Sequence, residues 1–400
     1  LQTQSIEIMN GNQMIRSIKT LVMGAAWLAM SMVHAEIQGV SPPEVAEHAY
    51  LLIDVSAHQV LAEHLADEPV EPASLTKLMT AYVVFEALKS KKIDLKQSFP
   101  ISVRAWKMPG SRMFVDPKMT VAVEDLLKGL IVQSGNDAAV ALAEGVGGSV
   151  ERFVQLMNDQ ALRLGMTHTV YKNPEGLTTA GHLTTARDLS ILAQRLMQDY
   201  PEYIGYYAIK RYRYPGTPVA NDNNRNLLLF RDPTVDGLKT GHTDAAGYCM
   251  IATAKRDVPG FSGRRLLSIV LGAVSENSRA AESQKILNWG YTAFEPVKLF
   301  DAGQSVMNIR LWKGKESELP VGKTTPIVVA VPEGQSKQLT SKVEFKDPVV
   351  APVRQGAVVA HLKLFLSGAP MGDIELESLK TVEEASIFGR AWDALRLWVK

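Results

Sequence analysis

Apolar positions in the first two-thirds of the chain alternate between strand-length runs and helical spacing. Tyr50-Leu51-Leu52-Ile53-Asp54-Val55 is a short apolar run of strand length with a charged turn region beyond it. Behind Pro72-Ala73, apolar residues recur with helical period over residues 74–88, and again over 123–132, where the pattern stops at Ser134. Ser149 is a capping residue for a third helix, which runs to about Leu164 and is stopped by Gly165. Thr185-Ala186-Arg187-Asp188 resembles a capping box that opens a fourth, and Pro201 ends it. After Asp236 the pattern turns to strands over 248–252 and 266–271, followed by a helical segment over 280–289. Helices in the middle and strands at both ends predict one α/β domain whose sheet is built from both ends of its sequence.

Beyond about Val297 the texture changes. Residues 325–331 form a strand-like run. Over 360–366 His361 and Lys363 alternate with Leu362, Leu364 and Leu366, and 374–377 alternates as well. Gly and Pro between the runs predict a small antiparallel all-β domain. Over residues 388–400, Phe388, Ala391, Trp392, Leu395, Trp398 and Val399 share one helical face, with Arg390, Asp393, Arg396 and Lys400 away from it. Tryptophan on the apolar face and net positive charge fit a helix lying in a membrane interface; docking on its own domain is the alternative. The β domain reads as complete without this segment, which favours the membrane.

The N-terminal pattern is that of an export signal. A short basic region over 14–19 precedes an apolar stretch over 20–33, and Val33-His34-Ala35 suits cleavage. The stretch is short for a transmembrane span; residues 1–13 are mostly polar and unlike a signal peptide, and a natural start at Met9 or Met14 is expected. The expected divisions are 1–35 for extension and signal, 36–296 for the α/β domain, 297–384 for the β-rich domain and 385–400 for the terminal helix.

The 400 residues carry a net charge of +1 and no long basic patch with interleaved aromatics, so nothing points to nucleic acid. The single cysteine, Cys249, excludes an intrachain disulfide, and a chain of this length builds a core without one. No H-E-x-x-H is present and the eight histidines are scattered, so neither metal nor other cofactor is expected. The absence of G-x-S-x-G argues against an α/β-hydrolase.

Three short motifs carry chemistry: Ser74-Leu75-Thr76-Lys77, Ser134-Gly135-Asn136 and Lys239-Thr240-Gly241, in that order. The first alone is weak, since average composition yields roughly one S-x-x-K in a chain of this length; together they are the signature of penicillin-interacting serine acyl-transfer enzymes. Ser74 and Lys77, one turn apart at a helix start, lie on one face. Serine needs a base, and a desolvated Lys77 crowded by a second cation, with Lys239 the candidate, can supply it. Ser134 offers a hydroxyl for proton relay and Asn136 an amide for the substrate. Lys239 and Thr240, just before a strand, make a carboxylate site, and Gly241 admits a close backbone approach. Ser275-Glu276-Asn277 is a second S-x-N, but its position between strand and helix marks it as a cap.

The chain resembles the low-molecular-mass penicillin-binding proteins, D-alanyl-D-alanine carboxypeptidases of the type-5 class. The likeness is carried by Pro72-Ala73-Ser74-Leu75-Thr76-Lys77-Leu78-Met79-Thr80, Asn223-Asn224-Arg225-Asn226, the V-D-G-L-K-T-G-H-T run over 235–243, and Ser278-Arg279-Ala280-Ala281-Glu282-Ser283. The resemblance implies a transpeptidase-like domain, a β-rich stalk and an amphipathic anchor on the periplasmic face of the inner membrane. It implies peptidoglycan pentapeptide stems as substrate and β-lactams as acylating ligands. By position Ser74 is then the nucleophile, Lys77 the base, and Ser134 and Asn136 the proton path and substrate clamp. The backbone N–H groups of Ser74 and His242 would form the oxyanion hole, and Thr240 and Arg279 would hold the terminal carboxylate. Glu175 stands where some relatives have histidine, so its loop is assigned no catalytic role. A class A β-lactamase is disfavoured, because Glu175-Gly176-Leu177-Thr178-Thr179 does not fit its E-x-x-L-N loop. A catalytically silent wall protein is disfavoured by the intact motifs, whereas an endopeptidase activity, using the same chemistry in a roomier site, stays open.

Overall fold

The computed structural model describes residues 40–46 and 48–398. The expected export segment, Val399 and Lys400 lie outside these residues.

The first apolar run is strand β1 (Ala49–Asp54), which turns back as β2 (Gln59–His64). The first helical pattern begins as a 3-10 turn over Ala73–Thr76 and continues as α1 (Lys77–Lys89). Helix α2 (Val123–Ile131) follows, then α3 (Asn136–Gly147), α4 (Val150–Leu164) and α5 (Ala186–Asp199). Two caps act as their sequences predict: Ser149 Oγ accepts the Arg152 N–H at 3.2 Å, and Thr185 Oγ1 accepts the Asp188 N–H at 3.0 Å. Helix α3 is absent from the sequence reading. Ala138 through Ala143 are all buried, so the helix is apolar on every side and has no polar stripe to betray it. It lies at the centre of the helical layer, against α1, α2 and α4.

The second half supplies β3 (Val235–Thr243), β4 (Gly247–Val258), β5 (Phe261–Ala273) and α6 (Glu276–Ala293). With the N-terminal hairpin these strands form one antiparallel sheet in the order β2-β1-β5-β4-β3. Successive side chains point to opposite faces. Leu51, Ile53, Leu267 and Ile269 join the core shared with the helices, while Leu52 and Leu266 on the other face meet α6 at Gly290. The Lys239-Thr240-Gly241 motif, expected just before a strand, lies inside β3 at the sheet edge. This strand mixes charge, glycine and threonine without alternation, so periodicity does not reveal it.

A second core follows. Strands β6 (Phe294–Phe300), β7 (Ser305–Trp312), β8 (Glu318–Gly322), β9 (Ile327–Pro332), β10 (Leu339–Glu344), β11 (Val349–Val350), β12 (Val358–Leu366) and β13 (Ala369–Ser378) carry it. Six form a sheet in the order β10-β12-β13-β8-β7-β11, and β9 pairs with β6. Ile309, Leu319, Val329, Leu362 and Leu376 fill the space between them. Two polar contacts fasten this unit to the first sheet. Gln59 bonds both backbone groups of Ala330, accepting its N–H at 2.6 Å and donating to its carbonyl at 3.3 Å. Arg264, buried in an ion pair with Asp54 at 2.8 Å, also donates to the Phe294 carbonyl at 2.5 Å.

Helix α7 (Ile387–Trp398) ends the described chain. Its Asp393 carboxylate accepts the Lys313 N–H at 2.6 Å, and Arg390 pairs with Glu384. Ile387, Phe388, Trp392, Leu395 and Trp398 stand exposed. Asp393 and Arg390 thus turn toward the protein while the apolar stripe faces out, unlike a helix that docks its apolar face on its own domain.

Candidate active site

Ser74 sits in the 3-10 turn, not in the α-helix, and a spacing of three residues there stacks Lys77 directly beside it. Ser74 is half-buried and Lys77 fully so. Lys77 Nζ lies 2.9 Å from Ser74 Oγ, 2.7 Å from Asn136 Oδ1 and 2.6 Å from the Glu175 carbonyl oxygen. The Asn136 amide is oriented by its other end, since Nδ2 donates to the Pro109 carbonyl at 2.7 Å. Charged, the amine donates to all three oxygens; once neutral, its two hydrogens can stay on the two carbonyl oxygens while its lone pair faces the serine hydroxyl. Burial pushes the Lys77 amine down to about 7, and the negative charges of Glu175 and Asp137 act the other way.

Ser134 occupies the turn between α2 and α3, and Asn136 is the first residue of α3. Ser134 adopts a φ of +60°, held by the Gly135 N–H to the Gly129 carbonyl at 3.0 Å and the Asn136 N–H to the Ser111 carbonyl at 2.7 Å. At the start of α3 the Asp137 carboxylate accepts the N–H groups of Met113, Phe114, Val115 and Ala138, fixing the loop that lines this side. Lys239 Nζ donates to Ser134 Oγ at 2.8 Å and to the Thr240 carbonyl at 2.9 Å. Burial drives Lys239 well below the ordinary lysine range, and the positive charges of Lys77, Arg279 and Arg225 add to that. The crowding expected to act on Lys77 is therefore felt at Lys239, and desolvation is what lowers Lys77.

Strand β3 comes within backbone contact of the nucleophile. A Cβ on Gly241 would stand 3.0 Å from Ser74 N and 3.2 Å from Leu75 N, so only glycine lets the strand lie this close. Among the described residues the Thr240 side-chain hydroxyl has no protein partner, although Thr240 is buried. Arg279 lies beneath the strand, donating to the Gly241 carbonyl at 3.0 Å and to Glu276 at 3.0 Å, with its guanidinium over the Tyr248 ring. His242 is exposed and stacks on Tyr248 with ring centres 3.9 Å apart. The predicted site residues are thus brought together: Lys77 holds Ser74 and Asn136, Lys239 holds Ser134, Gly241 lies against the Ser74 turn, and Arg279 holds Gly241. The competing Ser275 serves as the cap of α6, accepting the Ser278 N–H at 3.0 Å.

The Glu175 loop, left without a role by the sequence, belongs to the site. Besides the Glu175 carbonyl on Lys77, the Pro174 carbonyl accepts the Thr80 hydroxyl at 2.6 Å. Gly176, at φ +89°, is wedged so closely that a Cβ would meet the Ala73 carbonyl oxygen at 1.9 Å. His182 Nδ1 accepts the Lys172 N–H at 3.1 Å, so Nε2 carries the proton and donates to Thr76 Oγ1 at 2.8 Å, inside the first motif. Burial holds this imidazole neutral by pushing it down to about 4. These contacts run through main-chain atoms and one histidine far along the chain, which no motif spacing announces.

The family model described as D-alanyl-D-alanine carboxypeptidase matches residues 36–275, and that of the penicillin-binding protein 5 C-terminal domain matches 294–384. The D-alanyl-D-alanine carboxypeptidase DacC of Escherichia coli K12 is 38% identical over 385 residues, 94% of each chain. The crystal structure of penicillin-binding protein 5 from Haemophilus influenzae superposes with a TM-score of 0.80 at 34% identity, covering 86% of this chain and 100% of that one. Penicillin-binding protein D2 of Listeria monocytogenes, solved in an ampicillin-bound form, is similar with a TM-score of 0.56 and 30% identity, over 62% of this chain and 98% of that one. A serine beside a buried lysine, on this fold and with these relatives, makes the chain a member of the serine-type D-alanyl-D-alanine carboxypeptidase family.

Proposed function

We propose that the protein trims peptidoglycan pentapeptide stems by acyl transfer through Ser74, and that β-lactams acylate the same residue. The observation that carries this reading is the buried Lys77 amine 2.9 Å from Ser74 Oγ, with two carbonyl oxygens beside it to take its hydrogens when it is neutral. Lys77 takes the hydroxyl proton as Ser74 Oγ attacks the carbonyl of the penultimate D-alanine. The backbone N–H groups of Ser74 and His242 receive the developing oxyanion. The C–N bond breaks, and the departing D-alanine amine collects its proton through Ser134, whose hydroxyl Lys239 holds. Water then hydrolyses the ester and restores Ser74. The open hydroxyl of Thr240, the Lys239 amine and the Arg279 guanidinium suit the terminal carboxylate, and Asn136 suits the peptide group.

The outward apolar stripe of α7 supports attachment to a membrane surface, and the N-terminal pattern supports export to the periplasmic face of the inner membrane. The two separate cores support the division into residues 36–296 and 297–384, with β6 of the second unit beginning slightly earlier, at Phe294, and that unit serving as a spacer between catalysis and membrane. Among the described residues no helix is long and apolar enough to cross a membrane.

Mass spectrometry of a pentapeptide ending in D-Ala-D-Ala, treated with protein lacking residues 1–35, tests the reading. Loss of one alanine, unaffected by EDTA and abolished in Ser74→Ala, is expected. An intact peptide, or activity that EDTA removes, overturns it.

A further inference from the structure

Glu175 contributes its carbonyl to Lys77, but its side chain has no described task. The residue is only 7% exposed. Among the described residues its carboxyl receives a hydrogen bond from no other residue, only from its own backbone N–H. Burial pushes this carboxyl up, toward its neutral form, and the Lys77 charge opposes that and favours the anion. The positive groups that face it are Lys77 and, more weakly, Arg104. Arg104 is half-exposed and already paired with Glu151 at 2.8 Å.

The surroundings of Lys77 lead to the same pairing from the other side. Its three hydrogen-bond partners are all uncharged. Two negative groups face it, Glu175 from the 173–178 loop and Asp137 from the start of α3. Asp137 is committed to four backbone N–H groups. From β3 comes Lys239, whose amine feels the Lys77 charge. His182, reaching Thr76 behind the nucleophile turn, is neutral and adds no charge. Among the described residues, Glu175 is therefore the carboxyl facing Lys77 that no other residue's N–H groups hold.

We propose that the Glu175 side chain is the counter-charge of the catalytic lysine, a positioning residue that acts on acyl transfer through Lys77. It retains a proton on the amine that would otherwise leave at lower pH. In the acyl-enzyme, where Lys77 bears the proton taken from Ser74, it offsets that charge. The proposal rests on Lys77 being the base.

The test is the pH dependence of penicillin acylation, followed by mass spectrometry at single turnover in the full-length protein, Glu175→Gln and Glu175→Asp. Glutamine keeps the backbone carbonyl and the shape but removes the charge. Its acid limb should move down by roughly one pH unit, as expected for loss of one nearby opposite charge, while aspartate returns the limb toward that of the parent. A Glu175→Gln limb that stays in place while the rate falls uniformly would overturn the proposal and leave a packing role. An unmoved limb with slow ester hydrolysis would also overturn it, since the carboxyl would then act on water. If the parent protein shows no acid limb, or Ser74 is not acylated, the failure lies with the base or the nucleophile instead. Equal melting temperatures of the three proteins establish that folding is not the variable.

Discussion

Acidification should switch off acylation through Lys77 alone, and the extent follows from its setting. The amine is pushed down to about 7 by burial, from an ordinary 10.5. Only the neutral form accepts the Ser74 proton, so about one-tenth of the protein is competent at pH 6 and about nine-tenths at pH 8. The second-order rate of penicillin acylation, measured by stopped-flow or quenched mass spectrometry, should fall about tenfold per unit below pH 7 and level off above pH 8. Lys77→Arg keeps a cation but cannot deprotonate in this range, so the limb should vanish with a loss of at least about a hundredfold. Stability carries the opposite face of the same burial. Between about pH 7 and 10.5 the unfolded chain binds more protons at Lys77 than the folded one, so stability rises with pH across that window. Denaturant midpoints of the parent minus those of Lys77→Met should slope upward there. An acid limb that persists in Lys77→Arg, or a downward slope, would refute the reasoning.

Three further outcomes follow from particular contacts. Gly241→Ala places a Cβ 3.0 Å from Ser74 N and should slow acylation about ten- to a hundredfold by displacing β3, with the melting temperature little changed; an unaltered rate would show that the strand's closeness is immaterial. Arg264→Met strands the Asp54 carboxylate, buried with the Ala57 N–H as its remaining donor at 3.0 Å, and should cost about 3–5 kcal/mol in thermal or urea unfolding; a variant as stable as the parent would disprove the contribution assigned to this pair. Deleting residues 388–400 removes the exposed Phe388, Trp392 and Trp398 and should release the exported protein from membranes with peptide cleavage intact; truncated protein that still pelleted with membranes would refute the anchor.

Much of the chemistry was legible in the chain because it depends on side-chain identity at short spacing. Ser74 and Lys77 are neighbours in any helical turn, Ser134 and Asn136 are two residues apart, and Lys239 and Thr240 are adjacent, so each motif arrives partly assembled. The amphipathic helices and their caps at Ser149 and Thr185 were legible for a related reason. A helix half in water needs a polar stripe, and its first N–H groups need an oxygen. Tertiary structure decided what has no local cause. Helix α3 is buried on all sides, so the periodic contrast that reveals a surface helix is missing. Strand β3 is a strand because β4 pairs with it along one side, and Gly241 has to be glycine because the Ser74 turn lies against it. The depression of Lys77 comes from burial between α3, β3 and the 173–178 loop, none of which touches it in sequence. Glu175 shows the division most directly. Its carbonyl reaches Lys77 across 98 positions, and main-chain atoms are the same in every residue, so only the fold could disclose that this loop belongs to the site.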